Sequence, residues 1–254
     1  MENIETMNKI IIITGASRGI GAATAKRAAA QGYAVCVNYL KQQKAAEKIV
    51  AEILSDGGKA IAVSADISNE SDVVRMFETV DVQLGTVSAL VNNAGILQKQ
   101  MRVDEMSAER LNRIFSVNIT GFFLCARQAV KRMSTRYGGS GGAIVNVSSA
   151  ASRLGSAGEY VDYAASKGAI DTLTTGLSQE VASEMIRVNA VRPGFIYTDI
   201  HANGGEPDRV DRIKTAIPMQ RGGQPEEVAN AIMWLLSDAA SYVTGTFIDA
   251  AGGR

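Results

Sequence analysis

The sequence predicts an α/β fold in which a parallel sheet is covered by helices on both faces. Short apolar runs alternate with helix-like stretches along the whole chain, and the runs are unbroken, as in strands that are buried on both faces. The 254 residues are 46% hydrophobic and 20% charged, an ordinary globular composition with enough chain for one substantial core. We therefore predict a single, doubly wound domain of seven parallel strands over residues 1–254, with residues 1–8 as a loose tail.

The first half of the chain repeats one pattern, an apolar run followed by a stretch of helical composition. A run of isoleucines opens the pattern, a glycine turn follows, and an alanine-rich helix ends near Gly32. Charged residues mark the next helix, and the glycine pair at residues 57–58 ends it. The strands predicted in this half are residues 10–14, 33–38, 59–63 and 87–91, and the later helices are residues 41–55 and 69–83.

The second half continues the pattern with longer helices. One uninterrupted helical stretch is predicted over residues 107–136. Pro225 and two following glutamates open the last helix, because proline and acidic residues suit a helix N-terminus. Residues 194–224 have no regular pattern. The remaining predictions are strands at residues 143–147, 187–191 and 246–249 and a helix near residues 160–184.

Charge and composition exclude several classes of function. The 26 basic and 26 acidic residues cancel, so no global field attracts nucleic acid or an anionic membrane. With one histidine in the chain, no metal site is expected. Cys36 and Cys125 lie in apolar runs and are predicted to be buried free thiols. The polar, acidic start resembles neither a secretion signal nor a membrane span, and a cytoplasmic location is expected.

A glycine-rich turn follows the first predicted strand and points to a nucleotide. It reads Thr14-Gly15-Ala16-Ser17-Arg18-Gly19-Ile20-Gly21. Glycines at a strand-to-helix junction let the backbone approach a pyrophosphate, and the helix that follows offers free N–H groups and the positive end of its dipole. The alternative is a tight turn that merely needs glycine.

The residues around this turn favour NADP(H) over NAD(H). Enzymes that use NAD usually carry an acidic residue at the end of the second strand to hold the ribose hydroxyls. Here that end contains Asn38 and Lys41 and no acid. The Arg18 guanidinium could pair with the 2′-phosphate of NADP, although a solvated surface charge is the alternative.

Tyr163 and Lys167 are four residues apart in a predicted helix and so share a face. A phenol normally titrates near 10, and a neighbouring ammonium favours the phenolate, which makes the tyrosine a useful acid and base at neutral pH. By itself the pattern is weak, because two residues on a solvated helix face would look the same.

Together these motifs resemble the short-chain dehydrogenase/reductase family, from Lys9 to Gly253. The likeness is to bacterial members of unassigned substrate, similar to glucose dehydrogenases and 3-oxoacyl-carrier-protein reductases. It implies a Rossmann fold, an NADP(H)-preferring enzyme that interconverts a carbonyl and an alcohol on a small substrate, and a homo-oligomer (tetramer or dimer). The matching motifs, in chain order, are Thr14-Gly15 with Gly19-Ile20-Gly21, Asn92-Asn93-Ala94-Gly95, Asn118, Val147-Ser148-Ser149, Tyr163 with Lys167, and Arg192-Pro193-Gly194.

The resemblance assigns roles to individual residues. Tyr163 is the expected proton donor, Lys167 lowers its pKa and holds the nicotinamide ribose, a serine binds the substrate oxygen, and Asn118 holds a water linking Lys167 to solvent. Asp66 matches the position that contacts adenine. The residues expected to bind the cofactor are Gly15, Ser17, Arg18, Gly19, Ile20, Gly21, Asn38, Asp66, Asn92, Ala94, Gly95, Tyr163, Lys167, Pro193, Gly194, Ile196 and Thr198.

The position of the catalytic serine departs from the family pattern. The usual spacing of thirteen residues before the tyrosine falls on Ala150, whereas Ser149 ends the predicted strand. We therefore infer one extra residue in the following loop and assign Ser149, with Ser148 in a supporting role. A second departure, Ala251 in place of the common aspartate, does not touch the chemistry.

Other readings remain open from the sequence. The segment 194–224 resembles the substrate loop of the family, and His201 within it is expected at the surface, with substrate contact as the alternative. Trp234 is expected to anchor its helix in the core. Among functions, the alternatives are an NAD-dependent sugar or polyol dehydrogenase and a non-catalytic protein that senses NADP(H) or scaffolds partners.

Overall fold

A seven-stranded sheet organises the computed structural model, which describes residues 9–254; the tail predicted for residues 1–8 lies outside the described residues. All neighbouring strands pair in parallel, in the order β3-β2-β1-β4-β5-β6-β7. The predicted fold class is therefore confirmed. The strands are β1 Ile10–Ile13, β2 Ala34–Tyr39, β3 Lys59–Ser64, β4 Ala89–Asn92, β5 Gly142–Val147, β6 Ile186–Pro193 and β7 Phe247–Ala250.

Ten α-helices accompany the sheet over the described residues. The largest, α7, is 21 residues long and carries Tyr163 and Lys167. The helices are α1 Gly19–Ala30, α2 Gln43–Ser55, α3 Glu70–Gln83, α4 Ala108–Phe115, α5 Gly121–Met133, α6 Ala151–Leu154, α7 Val161–Val181, α8 Ile200–Asn203, α9 Arg209–Ile213 and α10 Pro225–Leu236.

The four isoleucines of β1 explain why its run is apolar throughout. Successive strand residues point to opposite faces of a sheet. Ile11 and Ile13 pack in one buried cluster with residues of α1, α2 and α10. Ile10 and Ile12 pack in the other, with residues of α3, α5 and α7. Both faces are therefore covered, and no position of the strand meets solvent.

The long helix predicted over residues 107–136 is instead divided. A π-helical turn, Ser116–Thr120, separates α4 from α5, and a short 3-10 turn follows α5. Asn118 lies in the π-turn and exchanges hydrogen bonds with the backbone of Ile96. Competition from this side chain accounts for a local change of helical pitch, which apolar periodicity does not reveal.

Two predictions about single residues have opposite outcomes. Cys36 and Cys125 are free and fully buried, as predicted, and burial raises the pKa of both thiols. Trp234 does not anchor the core, because its side chain is 43% exposed. The core face of α10 is formed instead by Val228, Ile232, Leu235 and their neighbours, and Trp234 lies on the outer face.

Strand order places a crevice at the centre of the sheet. The chain runs from β1 to β2 and β3 on one side and then crosses back to β4 on the other side of β1. In open α/β sheets ligands bind at such a switch point, beyond the carboxyl ends of the strands. Helices α8 and α9 of the irregular segment follow the carboxyl end of β6. Among the described residues, no helix combines the length and apolarity needed to cross a membrane.

Candidate active site

A cleft of about 580 Å³ opens beyond the carboxyl ends of the strands. It extends from the glycine turn after β1 to the segment after β6. Of the predicted site residues, those that line it are Gly15, Ser17, Arg18, Gly19, Ile20, Asn38, Asp66, Ala94, Gly95, Ser149, Tyr163, Lys167, Pro193, Gly194, Ile196 and Thr198.

The glycine turn needs glycine for two different reasons. Gly15 has a φ of +63°, in the left-handed region that favours glycine, and a Cβ atom there would lie 2.9 Å from the Ala94 Cα. Gly19 has a φ of +56° and opens α1. The first turn of α1 has no side-chain cap and no acidic residue. Its free N–H groups and the adjoining space fit the pyrophosphate of a dinucleotide.

Asn38 supports this turn from beneath. It is 2% exposed. Its Oδ1 accepts a hydrogen bond from the Gly15 N–H at 3.1 Å, and its Nδ2 donates to the carbonyl groups of Val63 and Ala65. The side chain is thus engaged with the backbone on both sides. Asn38 therefore supports the turn, and because it also lines the cleft, its contact with the cofactor stays a prediction.

Two basic side chains stand at the open end of the cleft near this turn. Arg18 is half exposed and lies 3.4 Å from the Asp199 carboxylate. Lys41 is exposed and lines the cleft just after β2. Asp66 lies opposite, where its Oδ1 accepts hydrogen bonds from the Ser68 N–H and hydroxyl. This end of the cleft therefore offers cations to an anionic group and a hydrogen-bond acceptor to a nucleobase.

Gly21 and Asn92 do not line the cleft. A Cβ atom at Gly21 would lie 2.6 Å from the Asn93 Nδ2, so this glycine allows the turn to pack against the loop after β4. Asn92 is fully buried, and its Nδ2 donates to the Asn146 Oδ1 at 3.0 Å. Both residues thus pack behind the cleft, and their contacts with the cofactor stay predictions.

Tyr163, Ser149 and Lys167 meet in the floor of the cleft. Ser149 and Tyr163 both line the cleft, and the Ser149 hydroxyl acts to lower the pKa of Tyr163. The Lys167 ammonium lies 5.7 Å from the centre of the Tyr163 ring and donates to the Val147 carbonyl oxygen at 2.7 Å. An acid, a hydroxyl and a cation are thus gathered around one point, as carbonyl chemistry requires.

Burial dominates the electrostatics of this group. It raises the pKa of Tyr163, and the hydrogen bond from Ser149 opposes that rise. Burial also lowers the pKa of Lys167 to about 8, with the Asp171 carboxylate acting in the opposite direction. The expectation that the lysine lowers the pKa of the tyrosine is therefore outweighed here by removal of the phenol from water.

The two serines after β5 point to different surroundings. Ser149 lines the cleft and accepts a hydrogen bond from the Ala151 N–H at 3.1 Å. Ser148 is buried, and its hydroxyl donates to the Asp171 Oδ1 at 2.6 Å. Asp171 also pairs with Arg192. Ser148 thus belongs to a network behind the cleft, whereas Ser149 faces the phenol.

Asn118 lies behind the wall of the cleft. It is fully buried, its Oδ1 accepts from the Ile96 N–H at 2.8 Å, and its Nδ2 donates to the Ile96 carbonyl and the Ser166 hydroxyl. A Cβ atom at Gly95 would contact both the Asn118 Oδ1 and the Lys167 Nζ. Asn118 therefore holds the segment after β4 that passes beside the lysine.

A buried ion pair holds the start of α7. The Arg110 Nε donates to the Asp162 Oδ2 at 2.7 Å, with both side chains at most 6% exposed. The Asp162 Oδ1 accepts from the Tyr163 N–H, and Arg110 also donates to the Lys99 carbonyl. The pair thus connects α4, the segment after β4 and the residue that carries the phenol.

The segment after β6 forms the opposite side of the cleft. His201 is half buried and lines the cleft, so its expected surface position is wrong. Its Nε2 donates to the Ile196 carbonyl at 3.1 Å, and burial lowers its pKa. Sequence reasoning also missed Tyr160, Phe195 and Arg209, which line the same side. Spacing carried no signal for these residues, because α8 and α9 are short and irregularly placed.

Comparison with known proteins supports this geometry. Residues 15–254 match the family model described as enoyl-(acyl carrier protein) reductase. The chain is 65% identical over 245 residues to an uncharacterized oxidoreductase, YgfF, of Escherichia coli K12, covering 96% of this chain and 99% of that protein. It is 40% identical to a 3-oxoacyl-[acyl-carrier-protein] reductase of Synechocystis PCC 6803, covering 96% of each.

A solved structure is similar over nearly the whole chain. The short-chain dehydrogenase of Burkholderia cenocepacia, in complex with NADP, superposes with a TM-score of 0.88 at 30% identity, covering 96% of this chain and 97% of that one. The chain belongs to the short-chain dehydrogenase/reductase family. It is an oxidoreductase that acts on CH–OH and C=O groups with a nicotinamide cofactor.

Proposed function

We propose that this chain reduces a carbonyl on a small substrate to an alcohol and prefers NADPH to NADH, with Ser149, Tyr163, Lys167 and Asn118 as its functional set. One observation carries the proposal. Tyr163 lies in the floor of the same cleft that begins at the glycine turn, together with Ser149 and with the buried Lys167, whose Nζ is 5.7 Å from the centre of the Tyr163 ring.

Each residue has a role that follows from its surroundings. Ser149 is placed to donate a hydrogen bond to the carbonyl oxygen, where negative charge develops. Tyr163 is the proton donor to that oxygen, and the positive charge of Lys167 stabilises the phenolate that remains. Asn118 acts by positioning residues 95–96 beside Lys167. The nicotinamide cofactor supplies the hydride when it is bound.

The pH dependence of the reduction tests the role of the lysine. Since the pKa of Lys167 is lowered to about 8, the ammonium is present below that pH and is lost above it. The raised pKa of Tyr163 keeps the phenol protonated over the same range. We expect kcat/KM for reduction to fall above about pH 8, by about tenfold per pH unit.

The matched variant for this profile is Lys167→Arg, which keeps the charge at high pH. It should move the alkaline fall upward, whatever its effect on the maximal rate. A wild-type profile that stays flat to about pH 10, the ordinary range of an unperturbed lysine, would contradict the proposed role.

The preference for NADPH rests on the cations beside the glycine turn. Arg18 and Lys41 both line the cleft where the second strand ends, and a 2′-phosphate carries charge that a guanidinium recognises well. We expect Arg18→Gln to raise the Kd of NADPH by about tenfold and to change that of NADH little. The control is Arg27→Gln, which removes an exposed charge from the same helix outside the cleft.

The direct test is oxidation of NADPH, followed by its absorbance, with a panel of ketones, aldehydes, 3-oxoacyl thioesters and sugars. NADH is run in parallel. Turnover that is faster with NADPH supports the proposal. Faster turnover with NADH, above all on sugars or polyols, favours the dehydrogenase alternative. Tight binding of NADPH without turnover on any member of the panel favours a cofactor sensor.

We also propose that the chain is a homo-oligomer, tetramer or dimer, and that residues 194–224 form its substrate loop. Phe123 is 50% exposed on α5, next to the apolar core of that helix, which supports an apolar contact there. Light scattering after gel filtration measures the mass directly. A monomer at micromolar concentration would contradict this part of the proposal.

A further inference from the structure

We propose that the substrate end of the cleft selects uncharged carbonyl compounds over carboxylates, because Glu159 and Glu206 compensate the charge of Arg209. The inference rests on the proposed reductase function and adds to it the charge class of the substrate. Arg209 is a buried cation that lines the cleft, and the two glutamates are its ion-pair partners.

Arg209 is built into the side of the cleft formed by the segment after β6. The residue is 6% exposed and lines the cleft. Its guanidinium lies 5.0 Å from the centre of the Tyr160 ring and 5.6 Å from that of Phe195, and both rings also line the cleft. Tyr160 directly precedes α7, so Arg209 stands near the start of the helix that carries Tyr163.

An arginine in this position would ordinarily attract a carboxylate. Here two carboxylates of the chain already pair with this arginine. Arg209 donates to both oxygens of Glu159 and, at 2.8 Å, to Glu206. Glu206 in turn accepts from Arg212. The four side chains carry two positive and two negative charges, so their sum is zero.

The Glu206 carboxylate remains charged at neutral pH. Hydrogen bonds from Arg212 and then from Arg209 lower the pKa of Glu206 to about 2. A substrate carboxylate near Arg209 would therefore meet the two glutamates as like charges. It would lose its water without gaining a free cation, and that is unfavourable.

The remaining cations of the cleft are placed elsewhere. Within residues 9–254, the other lysines and arginines that line it are Arg18, Lys41 and Arg113 toward the glycine turn and Lys167 in the floor. The apolar side chains of Leu97, Leu154 and Ile200 also line the cleft. This end of the cleft thus suits a neutral group next to the reacting carbonyl.

The experiment compares ethyl acetoacetate with acetoacetate, which present the same ketone beside a neutral ester or a carboxylate. We expect the wild-type protein, with NADPH, to have a kcat/KM for the ester about tenfold or more above that for the acid. Glu159→Gln keeps the shape and the acceptor but removes one negative charge. It should lower this ratio about fivefold or more, through a gain with the acid.

The control is Asp208→Asn, which makes the same change of charge at the neighbouring position. Asp208 is exposed and forms no ion pair among the described residues. It should leave the ratio within about twofold of wild type, since an exposed charge is screened by solvent. Equal gains with acetoacetate in both variants would overturn the assignment to Arg209.

Two further outcomes separate this inference from the proposed function. If neither compound is reduced, dissociation constants for the NADPH-loaded protein are measured from the fluorescence of the bound nicotinamide. Tighter binding of the ester than of the acid, lost in Glu159→Gln, supports the inference although the reductase proposal has failed. Binding of the acid as tight as or tighter than the ester, or binding of neither, overturns it.

Discussion

The two sides of the cleft are held by different kinds of interaction. On the glycine-turn side, residues 14–21 with their supports, the bonds are between neutral groups, apart from the half-exposed pair of Arg18 with Asp199. Thr14 accepts from the N–H groups of Asn93 and Ala94, and Asn93 donates back to the Thr14 carbonyl. On the loop side, residues 194–213, charged groups dominate, with Arg209 and Glu206 at the centre.

This difference has a physical consequence. Buried neutral hydrogen bonds are insensitive to salt and costly to leave unmade. Partly exposed ion pairs are individually weak and are screened by salt. A site for a constant cofactor is thus built rigidly, and a wall that faces a variable substrate is built from contacts that can be changed one at a time. Four predictions test this contrast, the largest effect first.

Tyr163→Phe removes the proposed proton donor, which lies between the two sides. We expect kcat/KM for ketone reduction to fall by about 10²- to 10⁴-fold, with the Kd of NADPH unchanged, as measured by steady-state kinetics and fluorescence titration. The control is Tyr160→Phe, which loses only the bond from its phenol to the Gly204 carbonyl. Similar losses in the two variants would contradict a chemical role for Tyr163.

Arg110→Met breaks the buried ion pair beneath the start of α7. Because it leaves the Asp162 carboxylate buried and unpaired, the free energy of unfolding should fall by about 3–5 kcal/mol in denaturant titrations. Arg113→Met, on the same helix but half exposed and 3.8 Å from Asp66, should cost about 0–1 kcal/mol. A loss as small for Arg110 as for Arg113 would show that burial does not distinguish the pairs.

Asn38→Ala tests the neutral side. It leaves the Gly15 N–H and two carbonyl groups without their partner, so we expect a loss of about 1–3 kcal/mol of stability. NADPH and NADH should both bind more weakly, by similar factors, because Asn38 supports the turn and has no atom free for the 2′-phosphate. A loss confined to NADPH would mean that Asn38 reads the phosphate itself.

Arg212→Gln should have the smallest effect. Arg212 is more than half exposed and bonds to Glu206, so its removal should change the stability of the protein little, because exposed ion pairs are screened by solvent. We expect faster hydrogen exchange in residues 200–213 at low salt, and no difference from wild type near 1 M salt, where screening reaches about 3 Å. Exchange unchanged at low salt would indicate that neutral contacts hold the loop side.

The regular parts of the fold were predictable from the sequence, because unbroken apolar strands and glycine-ended helices are local patterns. The cleft floor was also predictable, since Tyr163 and Lys167 are on one helix and Ser149 directly follows a strand. What local patterns missed depends on packing between distant segments. Trp234 is a large apolar residue of the kind that usually anchors a core, yet it lies on the outer face of α10.

The positions of several site residues depend on packing in the same way. Asn92 precedes cleft residues in the chain, but it still belongs to β4, and its side chain points into the sheet layer toward Asn146. Asn38 ends a strand at the expected place and is turned inward to Gly15. Arg209 and His201 reach the cleft through two short helices whose positions no periodicity predicts.

Deuteride transfer tests the central claim most directly. NADPH that carries deuterium at the transferable position is incubated with the protein and ethyl acetoacetate, and the alcohol is analysed by mass spectrometry. The account predicts one deuterium on the carbinol carbon with the wild-type protein and no labelled alcohol with Tyr163→Phe. Alcohol without deuterium, or equal labelling by the Tyr163→Phe variant, would contradict hydride transfer assisted by this phenol.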